Sequence, residues 1–335
     1  MTDRPLDVIG VGNAIVDVLA HADDAFLETN DIPKGGMILV DEDMAAKIYG
    51  QMAPSVEISG GSAANSIACI ASLGGRGGFV GKVAKDQFGD VFRHDLQSLG
   101  VAFDTAPLQE GPSTGRCLVN VTPDAQRSMT TYLGAAGYVA PDDITEEFIN
   151  DGEITFFEGY LFEQPVAREA FIKACEIANR RGRKAALTLS DSGCVERQHG
   201  AFLDFIGQHV DILLTNELEA QALFGTTVED AIIEKAKELA PLTAVTQSEN
   251  GSLLIPRDGE PVKVAAVPPA QLVDTTGAGD AYAAGLLLGL ARQMPLETCG
   301  RLGSISASEV ISHFGARPEV SLQKLAADAG IEVSS

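Results

Sequence analysis

The spacing of hydrophobic positions changes several times along this chain, and each change marks a different kind of element. Residues 6–12 are mostly apolar and end in glycine, as a strand buried on both faces does where it reaches the active edge of a parallel sheet. From 14 to 57 the pattern loses continuity. Extended stretches such as 36–40 mix with a short helical stretch near 43–51, which predicts a peripheral lid rather than central core. At 62–73 the period becomes helical, with Ile67, Ile70 and Leu73 on one face, and 74–83 carries the chain into another strand and turn. Alternating stretches at 114–122 and 128–133 return to the lid.

Beyond residue 140 the alternation is regular. Strands at 154–157, 185–189, 212–214 and 242–245 are separated by helices at 167–180, 202–209 and 227–239. This is the sequence form of an α/β fold, a doubly wound, mostly parallel sheet with helices on both faces. Segments 252–255 and 262–267 predict an antiparallel edge, and helices at 281–292 and 302–313 close the chain. The expected organisation is one domain over 1–335, with about 14–57 and 113–134 forming a small β-rich lid.

Composition narrows the function classes. Apolar residues are 45% of the chain, enough for a sizeable core, and the 35 glycines suit an enzyme with many turns. A net charge of −23 argues against a nucleic-acid polymer as partner, which needs a positive footprint. It does not exclude a phosphate ligand, because a helix terminus and a bound cation reverse the field locally. The five cysteines have no CxxC spacing, which predicts reduced, buried thiols, and the five histidines form no zinc motif. The opening Met1 to Asp7 has no secretion-like apolar run and no stretch has membrane-spanning length, so a cytoplasmic protein is expected.

The most informative string is Asp274-Thr275-Thr276-Gly277-Ala278-Gly279-Asp280, followed by an apolar, small-residue helix. The glycines permit tight curvature, so free N–H groups at the helix start can meet a transferring phosphoryl group while Asp280 stands beside them as a base. Read alone, the same string is also a structural turn and helix cap. Asn216-Glu217-Leu218-Glu219 has two readings as well: Asn216 and Glu219 face one ligand across the first helical turn, or they form an N-cap with a solvated first-turn acid. Two glycine-rich segments are decoys. Residues 10–15 lack the last glycine of a dinucleotide fingerprint, and 75–83 fail the phosphate-loop spacing, with Val83 where Ser or Thr is needed.

Gly60-Gly61-Ser62-Ala63-Ala64-Asn65 and Asp274 to Asp280 resemble the N- and C-terminal signatures of the ribokinase-like (PfkB) carbohydrate and nucleoside kinases. Gly81 to Gly89 follows the family's strand-to-helix pattern, with Ala84 at a usual glycine position. The resemblance implies ATP with Mg²⁺ and phosphorylation of an alcohol, with Asp280 as base and Gly277, Ala278 and Gly279 as anion hole. It assigns Asn216 and Glu219 to the phosphate, water and Mg²⁺ network, and Thr246, Ser248 and Gly251 to the nucleotide edge, Ser248 replacing a common glycine. Asn13, Asp17, Gly60, Gly61 and Asn65 are implied on the substrate side, Asp17 accepting from a sugar diol; Arg127 has two readings, neutralising the transferring phosphate from the lid side or forming a solvent salt bridge.

Residues 113–117, 126–128 and 158–162 resemble the adenosine-kinase branch of that family, and Tyr160 has two readings, covering an adenine face or ordinary amphipathic packing. The implied reaction is phosphorylation of the 5′-hydroxyl of adenosine. A free sugar or sugar acid is the alternative acceptor, and a noncatalytic nucleotide-binding regulator is a third reading. A monomer is favoured; a homodimer through an exposed lid edge is the other possibility.

Overall fold

The computed structural model describes residues 5–124 and 126–333, so Met1 to Arg4 of the opening segment lie outside the described residues. The strands, in chain order, are β1 (Leu6–Val11), β2 (Ile15–His21), β3 (Met37–Leu39), β4 (Val56–Gly60), β5 (Gly77–Val80), β6 (Gly115–Val121), β7 (Arg127–Tyr132), β8 (Gly152–Glu158), β9 (Lys184–Thr188), β10 (Ile212–Asn216), β11 (Leu242–Thr246), β12 (Ser252–Pro256) and β13 (Val262–Val264).

Eight of them form one sheet in the order β13-β12-β11-β10-β9-β8-β1-β5. The pairs from β5 through β11 are parallel, and β12 and β13 add the expected antiparallel edge. Period-two alternation divides the core into two layers. Val8, Phe156, Ile212 and Leu214 pack on one face with Ile67, Leu286 and Leu302, while Ile9, Phe157 and Leu213 pack on the other with Phe171 and Phe205. The fold is therefore the doubly wound, mostly parallel α/β arrangement that the alternation predicts.

Helix Ala278–Ala291 is buried continuously from Ala281 to Gly289, as a helix apolar on all sides must be. It lies between Ser62–Ser72 and Leu296–Val310. The expected helix at 202–209 is the last part of a longer one, Ser192–His209, kinked at Gln198. Its first turns carry glycine and charged residues, which blur the apolar period. No described helix is long and apolar enough to cross a membrane.

The remaining five strands make the small sheet, order β3-β7-β6-β2-β4. β2 follows β1 after only three residues, and β4 runs through Gly61 into helix Ser62–Ser72. Both sheets therefore meet where β1 and β4 end. Among the described cysteines all are free thiols; Cys117 is half-buried and the other four are buried.

Candidate active site

The parallel strands of the large sheet end on one side, and the residues just past their C-terminal ends gather there, as ligand sites in open α/β sheets do. The turn into helix Ser62–Ser72 needs glycine: Gly61 has φ +96°, and a Cβ there would collide with the Asn13 carbonyl. Gly60 leaves its Cβ position to the Asp17 carboxylate. With no side-chain cap, the helix start is satisfied from elsewhere. The Ala63 N–H donates to Glu158 Oε2 at 2.8 Å, while Glu158 Oε1 accepts from the Asn13 N–H at 2.8 Å and from Asn13 Nδ2 at 2.6 Å. One buried carboxylate thus ties the ends of β1 and β8 to the start of the helix. Burial pushes Glu158 up to about 7, against the pull of its three donors.

Asp280 sits in the first turn of helix Ala278–Ala291. Ser62 Oγ donates to its Oδ1 at 2.6 Å and Asn65 Nδ2 to its Oδ2 at 3.2 Å. Burial raises its pKa above the ordinary carboxylate value, while both donors and the charge of Arg317 pull it down. Asp17 lies on β2 within electrostatic reach of Asp280, Arg127 and Arg317, and burial pushes it up to about 6. Arg127 forms a buried ion pair with Asp274, which joins the small sheet to the loop before the helix. Asp274 also accepts from the N–H groups of Thr276 at 3.0 Å and Gly315 at 3.2 Å.

The stretch expected to form the anion hole makes a tight turn at the helix start, and one of its three amides is already engaged. Gly277 caps the helix at φ +77°, and the Ala278 N–H is already donated to the Thr275 carbonyl at 3.2 Å. The N–H groups of Gly277, Gly279 and Asp280 have no backbone acceptor among the described residues, and a Cβ on Gly279 would meet nothing within 4 Å. Free amides, an open space and the positive helix end coincide there, which suits a phosphoryl group.

At the next strand ends Asn216 and Glu219 form a capping box, but with the acid buried rather than solvated. Asn216 Oδ1 accepts from the Glu219 N–H at 2.9 Å, and Glu219 accepts from the Asn216 N–H at 3.0 Å and from Asn216 Nδ2 at 2.7 Å. Glu219 is buried and pushed up to about 7, with Asp191 adding to the rise. This oxygen-rich corner suits a hard cation completed by water and phosphate oxygens. Among the described residues no group of three acidic, histidine or cysteine side chains makes a closed metal cage. Thr246 Oγ1 donates to the Thr215 carbonyl at 3.4 Å, and Asn216 pairs with Thr246 across β10 and β11. Ser248 adopts φ +49°, so the serine keeps the left-handed turn that glycine would enter without strain. Gly251 closes the same turn at φ +91°.

Tyr160 lies on the short helix Gly159–Phe162 with 38% of its surface exposed. Burial, and then the nearby charges of Asp191 and Asp280, raise its phenol above the usual range. Three residues at the centre of this network had been given no role from sequence: Ser62, Glu158 and Arg317. Ser62 stands inside the glycine-rich string and was open to notice. Arg317 reaches Asn65 across 252 positions of chain, so nothing local marks it.

Burial holds four carboxyls, Asp17, Glu158, Glu219 and Asp280, above their ordinary values, with a consequence for stability. Between about pH 4 and 7, Asp17, Glu158 and Glu219 bind more protons in the native state than in the unfolded one, so stability falls as pH rises. The exposed, ion-paired Asp124 and Glu229 act oppositely, but solvent screens them. Urea unfolding of the ligand-free protein should show about 4 kcal/mol more stability at pH 5.5 than at 7.5. A flat or inverted comparison would contradict the burial of these ionised groups.

Residues 47–322 match the sequence model of the pfkB family carbohydrate kinases. The chain belongs to that family. This kinase is similar to the solved structure of adenosine kinase from Sinorhizobium meliloti, at 46% identity over 97% of this chain and 99% of that one, with a TM-score of 0.89. It is equally similar in shape to a probable sugar kinase protein from Rhizobium etli CFN 42, at 42% identity, covering 98% and 99% of the two chains, with a TM-score of 0.90. The 5-dehydro-2-deoxygluconokinase of Halalkalibacterium halodurans is 27% identical over 93% of this chain and 90% of its own length. The pfkB kinase described here is an ATP-dependent phosphotransferase with an alcohol group as acceptor.

Proposed function

We propose that this kinase transfers the γ-phosphoryl group of ATP to the 5′-hydroxyl of adenosine, giving AMP and ADP. The observation that supports this reading is that Asp280, in the first turn of the helix whose free amides include Gly277 and Gly279, is held by Ser62 and Asn65, with the Asp17 carboxylate beside Gly60. The 46% identity with the Sinorhizobium meliloti adenosine kinase supports the nucleoside over other acceptors.

Asp17 accepts hydrogen bonds from the ribose diol, Asn13 and Asn65 line the same side, and Tyr160 covers the adenine. Asp280 takes the proton of the 5′-hydroxyl as its oxygen bonds to the γ-phosphorus, and the bond from that phosphorus to the β–γ bridging oxygen breaks. The charge developing on the phosphoryl oxygens meets the amides at the helix start, with Arg127 approaching from the small sheet. Thr246, Ser248 and Gly251 border the nucleotide. Asp191, Asn216 and Glu219 would hold Mg²⁺ through water, where it would supply positive charge toward the phosphates. A free sugar or sugar acid is the second reading, favoured by the probable sugar kinase and the 5-dehydro-2-deoxygluconokinase among the relatives.

The deciding experiment compares adenosine, inosine, guanosine, ribose, fructose and 2-keto-3-deoxygluconate as acceptors with Mg-ATP, with product identification. Adenosine should show the highest kcat/KM. Tyr160→Ala should reduce adenosine efficiency about 10-fold or more while changing residual ribose phosphorylation little, because a contact remote from the reacting atom orients it. Asp17→Ala should damage both. A preference for a free sugar would sink the nucleoside assignment and leave the phosphotransferase chemistry in place.

A further inference from the structure

Arg317 follows the last long helix of the large domain, in a stretch without regular structure, yet its side chain reaches the centre of the site. Its Nε donates to Asn65 Oδ1 at 2.9 Å, and its Nη2 donates to the carbonyl of Ser59 at 2.7 Å and to Ser59 Oγ at 2.8 Å. Ser59 is anchored in turn, its N–H donating to Asp95 Oδ2 at 2.9 Å. We propose that Arg317 is a positioning residue for phosphoryl transfer: it sets the Asn65 amide so that Asn65 holds Asp280, and it is the fixed positive charge facing Asp17 and Asp280. The proposal rests on the reading of Asp280 as the proton acceptor.

The orientation of Asn65 carries the first half. An amide has one accepting and one donating end, and Arg317 has only donors. With Oδ1 held by Nε, the Nδ2 end is left for Asp280 Oδ2, which it meets at 3.2 Å. A flipped amide would set donor against donor at Arg317 and acceptor against carboxylate at Asp280. The arginine therefore decides which way the amide faces, from a position that does not itself hydrogen-bond Asp280.

The electrostatic surroundings carry the second half. Asp280 is faced by Ser62 and Asn65 from helix Ser62–Ser72 and by Arg317, with Asp17, Glu158 and Tyr160 within electrostatic range. Asp17 is faced by Arg317, Arg127 and Asp280. Arg317 itself feels Asp95, Cys69, Asp17 and Asp280, and burial outweighs them. Of the two cations near the acids, Arg127 is engaged in its ion pair with Asp274, and only Arg317 acts to lower both Asp17 and Asp280. Its Nη1 is buried without a protein partner, a cost that three bonds made only for structure would not require.

The test is the pH dependence of kcat at saturating ATP and adenosine, because that profile reports groups in the bound complex. Arg317→Gln should lower the plateau about 10-fold or more, change the acceptor KM less than about 3-fold, and move the acid limb upward by about one pH unit. Arg317→Lys keeps a charge but not the fork of donors, so it should leave the acid limb near its original position while the plateau still falls. A Gln variant with the parent plateau and the parent acid limb overturns the proposal. If circular dichroism shows that the Gln variant has not folded, the Lys variant decides, and an undiminished plateau overturns it. Asp280→Asn is measured alongside: parent-like turnover there means that the base assignment has failed, whereas an inactive Asp280→Asn with a parent-like Arg317→Gln defeats this inference alone.

Discussion

Asp280→Asn should leave the kinase folded and able to bind ATP while lowering phosphoryl transfer by about 10²-fold or more, the loss expected when a general base is removed. The two side chains are nearly the same size, so the packing of helix Ala278–Ala291 is kept. The asparagine oxygen can still accept from Ser62 Oγ, which bonds Oδ1 in the parent at 2.6 Å. Its amide nitrogen then meets Asn65 Nδ2, the donor that lies 3.2 Å from Oδ2 in the parent. That local mismatch is set against relief from burying a carboxylate, whose pKa burial already raises. Net stability should therefore change little, and the loss should appear in chemistry. Single-turnover phosphorylation with saturating adenosine, beside an ATP titration, separates the two. Near-parental turnover would remove Asp280 from the role of base.

A second large effect is expected one turn away. Gly277→Ala should cost about 1–3 kcal/mol of stability and lower turnover by about 10²-fold in the protein that remains folded. At φ +77° an L side chain is strained, and its Cβ would lie 2.6 Å from Ala316 Cβ and 2.7 Å from Ala316 Cα. That contact can be relieved only by moving the helix start or residues 315–317, and either shift displaces the free amides or Arg317. Gly279→Ala provides the contrast, since its Cβ would meet nothing within 4 Å. It should fold as well as the parent or slightly better, given the helical preference of alanine, and still lose activity because the methyl group occupies the space before the amides. Thermal unfolding and kcat measured for both variants would test this. Equal stability losses in the two would show that Gly277 is not under the strain its φ implies.

The glycine-rich strings were legible as sites because glycine leaves a mark that any single sequence shows. Gly61 and Gly277 both occupy positive φ where a side chain would collide, so the strings and the turns coincide. Asn216 and Glu219 were legible as a pair, and the structure forms the cap that one of their two readings described, with the acid buried rather than solvated. Glu158 was harder to see. It ends an apolar strand and looks like a solvent-facing residue, but it is fully buried because three donors converge on it from two other segments.

The sequence by itself determined the alternation of strands and helices, the class of sheet and the two glycine turns of the candidate site. Those properties follow from hydrophobic period and from residues with restricted backbone choices, and both act over a few positions. Only the tertiary structure decided which charges share the site. Arg317 meets Asn65 across 252 positions, Arg127 meets Asp274 across 147, and Ser62 meets Asp280 across 218. Such pairings depend on where two sheets and three helices are packed, and the energy that packs them is apolar burial, which is indifferent to the partner a polar side chain then finds.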